Sequence, residues 1–183
     1  MSETCSPGCN GGAERFWAPG YPLDVRVLLA PLRRGRGDPT MRVDADGTVW
    51  RAGTTPDGPA TLALRRSVDA TVYATAWGPG AAWALDGVPA LLGADDDDSG
   101  FVTHHPLIAQ VRRRMPGLRL GATRRVWDVL VPAILEQKVT GTEARRSWRE
   151  LCRRFGEPAP GPGALHLPPD PAAVRAIPDW EWH

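Results

Sequence analysis

The sequence predicts an α+β protein: a small antiparallel sheet in the first hundred residues and helices after it. Three observations predict this. Apolar residues recur with period two through residues 23–77, between Gly- and Asp-rich turn signals. Gly78-Pro79-Gly80 then breaks the pattern. Beyond it the apolar spacing lengthens to that of a helix, most clearly over residues 126–155.

Residues 1–20 are rich in Gly, Ser, Pro and Asn, and are expected to form a mobile N-terminus. The sheet region is assigned to residues 21–100. Val25, Val27 and Leu29 alternate with Asp24, Arg26 and Leu28, which predicts a strand reaching about Ala30. Residues 33–39, with Arg33, Arg34 and Arg36 beside Gly35 and Gly37, read as a basic loop. Asp46-Gly47 between apolar runs is a two-residue hairpin signal. Asp44 and Asp46 share the spacing of a calcium loop, but the acidic ligand further on is missing, so the hairpin is the better reading. Asp57-Gly58 marks a second turn, and residues 61–65 and 71–77 complete a set of about five strands.

The helical region is assigned to residues 101–183. Residues 81–85 and 89–92 read as short helices, and the run Asp95 to Asp98 as a solvated loop or cap. Pro106 sits like a first-turn proline ahead of an apolar face of Leu107, Ile108, Val111 and Met115. Residues 126–135 are almost wholly apolar, which predicts a buried helix. A polar turn, Gln137-Lys138-Val139, follows. Thr140 and Glu143 have capping-box spacing, so a second helix starts there. Its buried face is Ala144, Trp148, Leu151, Cys152 and Phe155, its other side is arginine, and Gly156 stops it. Asp170-Pro171 opens a last short helix. Trp180 and Trp182 follow with little of the chain left to cover them.

At 183 residues the chain has room for one ordinary domain or two small ones. Its net charge of +1 conceals a division: residues 104–156 carry eleven Arg and Lys138 against four carboxylates, and the remainder is acidic. A basic segment in a neutral chain points either to an anionic partner or to a solvated helix face. The arginines 112–114 also complement a helix dipole. Three cysteines make no disulfide framework. Cys5 and Cys9 with a His pair have too loose a spacing for zinc, so no metal or cofactor is expected. No apolar run reaches the length of a membrane span, and the start lacks the order of a signal peptide. A cytoplasmic location is expected.

The order of sheet then helices, and the segment Ile134-Leu135-Glu136-Gln137-Lys138-Val139-Thr140, resemble the helix-hairpin-helix superfamily of DNA glycosylases. The resemblance is closest to the bacterial 3-methyladenine (alkyladenine) type and covers roughly residues 23–182. It implies base-excision repair by a nucleoid-associated monomer, with a damaged base in double-stranded DNA as the target. Such enzymes flip the damaged nucleotide out of the stack and fill the gap with a side chain. The family's filling turn matches Gln137 and Lys138. Thr140 and Arg145 complete the DNA-binding residues the resemblance implies, whereas spacing alone allows an ordinary polar turn. The family usually has Gly before the Gln; here it is Glu136, which bears on how closely DNA approaches. The family's glycine-rich hairpin and catalytic aspartate have no counterpart here. Met115 to Gly121 has the wrong glycine spacing, and Asp170 and Asp179 lie upstream of the catalytic position. The expectation is therefore an N-terminal sheet domain plus an incomplete, C-terminally truncated helical domain, catalytically incomplete as it stands. A non-catalytic DNA-binding module or a non-functional fragment is the alternative.

Overall fold

A computed structural model describes residues 11–182. Five antiparallel strands form one sheet in the order β1-β5-β4-β3-β2: β1 (Ala13–Trp17), β2 (Met41–Val43), β3 (Val49–Thr55), β4 (Gly58–Arg66) and β5 (Val72–Trp77). The α+β class holds, but two of the expected pieces are exchanged. The N-terminal stretch expected to be mobile supplies β1, which pairs with β5 from Ala13↔Ala76 to Trp17↔Val72. The strand expected over residues 24–30 is instead the short helix α1 (Val25–Leu29). Val25, Leu28 and Leu29 are its buried residues, at helical spacing. Asp24 caps it, Oδ1 accepting from the Arg26 and Val27 amides at 2.8 and 3.4 Å.

The central strand β4 is buried continuously from Ala60 to Leu64, which places cover on both faces. On one face lie α1, α2 (Ala81–Asp86) and α3 (Val88–Leu91), enclosing Leu29, Val49, Leu64, Val72, Val88 and Leu92. On the other, the connection 157–167 lays Leu165 and Leu167 against Trp50 and Ala52. The β2–β3 turn is one residue longer than the Asp-Gly signal implies. Asp44 N–H donates to Thr48 O and Gly47 N–H to Asp44 O, with Gly47 left-handed at φ 88°.

The remaining helices are α4 (Pro106–Arg114), α5 (Val126–Leu135), α6 (Gly141–Phe155) and α7 (Pro171–Arg175). The predicted face of α6 is buried at Ala144, Trp148, Leu151 and Cys152, against Val131 and Leu135 of α5 and against Ile177. Gly156 ends α6 through close packing, not a left-handed backbone: its φ is −91°, and a Cβ there would lie 2.2 Å from Leu167 O. The fully buried α5 is not found. Only Pro132 is buried as a whole residue, while Val126, Leu130 and Ile134 are 75%, 44% and 59% exposed. These three repeat every four residues, so they form one stripe, separate from Val131 and Leu135, which meet α6. The apolar side of α4 is likewise open.

Candidate functional site

The α5–α6 turn is built from both its ends. Glu136 is the C-cap of α5, and its backbone N–H returns to Pro132 O at 3.0 Å. Lys138, in the connection between the two helices, takes a left-handed conformation, φ 58°. Thr140 then starts α6 with the predicted capping box. Its N–H and hydroxyl each donate to Glu143 Oε2 at 2.8 Å, and the Glu143 N–H donates to Thr140 Oγ1 at 3.3 Å. The donation by the Thr140 backbone, then by its hydroxyl, holds the Glu143 carboxyl below its ordinary value.

All four sequence-predicted residues are exposed. Gln137, Lys138 and Thr140 lie together on the turn. The Gln137 amide folds back, Nε2 donating to Ala133 O at 2.9 Å. The Thr140 hydroxyl is committed to the cap. Lys138 makes no ion pair among the described residues. Arg145 lies along the start of α6: a Cβ on Gly141 would be 3.9 Å from its Nη2, and one on Gly35 3.0 Å from its Cδ. It thus joins the turn to the basic loop 33–37.

Three contacts that sequence reasoning missed hold this junction. Asp38, buried, accepts at Oδ1 from Thr40 N–H (2.9 Å), Thr40 Oγ1 (2.9 Å) and Trp148 Nε1 (3.1 Å), and at Oδ2 from Arg34 N–H (2.6 Å). That carboxylate docks α6 onto the loop. It also adds to the burial that pushes the Cys152 thiol well up, so the sulfur is an inert core group. Glu136, at the position where the resembling family has Gly, turns to Arg34, Oε1 lying 3.5 Å from Nε. Asp128 of α5 meets Arg51 of β3 at 2.8 Å. Burial pushes the Asp128 carboxyl up, against the opposing charges of Arg51 and Arg125. No sequence signal links these partners, which lie 77 to 110 residues apart in the Arg51–Asp128 and Asp38–Trp148 pairs.

The carboxylates nearest the turn are therefore all engaged. Among the described residues no group of three or more His, Cys, Asp or Glu is arranged to hold a metal ion, and Cys5 and Cys9 lie outside them. Among the same residues no helix is long and apolar enough to cross a membrane.

No protein-family model and no curated protein matches the sequence. Solved structures do match. The 3-methyladenine DNA-glycosylase from Archaeoglobus fulgidus superposes with a TM-score of 0.69 at 16% identity, over 88% of this chain and 57% of that one. The fold is DNA glycosylase-like. MBOgg1, solved in complex with a low-affinity DNA ligand, superposes with a TM-score of 0.59 at 14% identity, over 81% of this chain and 50% of that one. The chain thus spans about half the length of both neighbours. At such identities the likeness is one of backbone path, and residue roles rest on the geometry above.

Proposed function

We propose that this chain is a DNA-engaging portion of a base-excision glycosylase of the 3-methyladenine type, with a sheet domain (21–100) and part of a helical domain (101–183). Its partner is duplex DNA carrying a damaged base. The observation that carries the reading is the α5–α6 turn: an exposed Gln137-Lys138 pair, lysine left-handed, standing between two helices of a glycosylase-like fold. A turn of this kind enters the minor groove and fills the space of an extruded nucleotide. Lys138 supplies positive charge beside the phosphates.

One observation favours binding without catalysis by residues 1–183. Cleavage of the glycosidic bond needs negative charge beside a developing oxocarbenium-like sugar. Near the turn, Glu136 faces Arg34, Glu143 caps α6 and Asp128 is buried against Arg51. The test uses the 183-residue chain and two duplexes, one intact and one with a tetrahydrofuran abasic site. Tighter binding to the abasic duplex is expected, with the preference lost in Gln137→Ala/Lys138→Ala. An equal affinity for both duplexes in the wild type would remove the wedge assignment. On alkylated duplex DNA the same chain is expected to release no base, and release above the uncatalysed rate would overturn the non-catalytic reading.

A further inference from the structure

The basic loop of the sheet portion is not used by the turn, yet it is joined to it. Arg33, Arg34 and Arg36 come from residues 33–37, and Arg145 and Arg149 from α6. A Cβ on Gly35 would lie 3.0 Å from Arg145 Cδ, and one on Gly37 3.1 Å from Arg149 Cδ. The two arginine stems therefore lie across the loop instead of extending into solvent. Gly35, at φ 82°, tolerates little else. Apolar stem burial explains part of this arrangement. It does not explain the charge balance. Five arginines of the loop and α6 stand against two carboxylates that already have partners: Asp38 accepts from Thr40, Trp148 and the Arg34 amide, and Glu136 lies 3.5 Å from Arg34 Nε. Arg33, Arg36, Arg145 and Arg149 make no ion pair among the described residues. Arg33 Nε and Arg34 Nε are shielded from solvent and have no hydrogen-bond partner among the described residues. Arginines joined through one loop, with unmet donors among them, suit an anion from outside.

We propose that residues 33–37 and the Arg145–Arg149 side of α6 form a phosphate-backbone contact surface, which extends the duplex interface from the Gln137-Lys138 turn onto the sheet portion. This rests on the DNA-binding reading above. The cations are spread over a loop and one helical turn, about 5.4 Å along α6. That spread suits an extended polyanion better than one small anion. Arg145 belongs to both regions, since its guanidinium lies beside Gly141 and its stem over Gly35. The contacts fix position without reading sequence.

The test is fluorescence anisotropy of the 183-residue chain with a labelled duplex across a salt series. Each phosphate contact contributes about 0.9 to the slope of log affinity against log salt. Arg36→Gln/Arg149→Gln is expected to flatten the slope by about 2 and weaken binding at least tenfold at low salt. Arg36→Gln alone, in an exposed loop position, is expected to flatten it by about 1. Arg66→Gln/Arg175→Gln removes two exposed charges elsewhere and is expected to leave the slope unchanged. If the double loop variant binds with the wild-type slope, or the control pair flattens it equally, this surface is overturned while the DNA-binding reading stands. If the wild type fails to bind duplex at low salt, the reading itself falls.

Discussion

Asp38 shows how one side chain can set the relation between distant parts of this chain. Four donors converge on it: two from Thr40, one from Trp148 and one from the Arg34 amide. A buried carboxylate in so full a shell is strongly held, and truncation leaves the donors without acceptors. Asp38→Ala is therefore expected to destabilise the protein by roughly 3 kcal/mol in urea unfolding. Asp57→Ala, at an exposed turn, should stay within about 0.5 kcal/mol of wild type. Similar losses in both would remove Asp38 from its anchoring role. The sequence offered no hint of this. Asp38 sits in an Arg-Gly-Arg-Gly-Asp-Pro loop that reads as solvated, and its partner Trp148 lies 110 residues away.

The capping box at the start of α6 was legible because its chemistry is local. Thr140 and Glu143 satisfy each other within one turn, so spacing suffices to find them. Thr140→Ala is expected to cost about 1 kcal/mol of stability. Glu143 gives the same cap a pH dependence of definite sign. Its folded-state carboxyl is held below its ordinary value by bonds from Thr140. Its stabilisation is thus complete above the ordinary glutamate range and lost as pH falls through the lowered value. Unfolding measured from pH 7 to pH 3 should show the gap between wild type and Glu143→Ala closing on the acid side; a constant gap would mean that the cap does not depend on the charge. The face of α6 was legible for the same local reason. By contrast, Val25–Leu29 fits period two and helical spacing equally well over five residues, and only packing decides between them. For α5, composition predicted burial, but composition cannot say how many sides a helix has neighbours on.

At the scale of the whole molecule, the sheet and the helices are joined by contacts that no sequence pattern announces. The turn that carries the proposed function was readable as a turn. Its placement beside the loop 33–37 depends on Asp38, Arg34–Glu136 and Arg51–Asp128, all long-range. The last of these supplies the sharpest stability test. The Asp128 side chain is 6% exposed and that of Arg51 17%, so removing either leaves the other without its direct partner. Arg51→Met keeps the stem's bulk and strands a buried carboxylate, at an expected cost of about 3 kcal/mol at pH 7.5. The sign with pH is opposite to that of Glu143. Burial already raises the folded-state carboxyl of Asp128, and loss of Arg51 removes an opposing charge and raises it further. A raised carboxyl binds protons more readily when folded, so the stability it contributes declines as pH rises from the unfolded value through the folded one. The deficit of Arg51→Met relative to wild type should therefore shrink as pH is lowered from 7.5 to 5. Urea unfolding of the two proteins at those pH values measures it directly. A deficit that is unchanged, or that grows on acidification, would show that Asp128 is not the charge left stranded between β3 and α5.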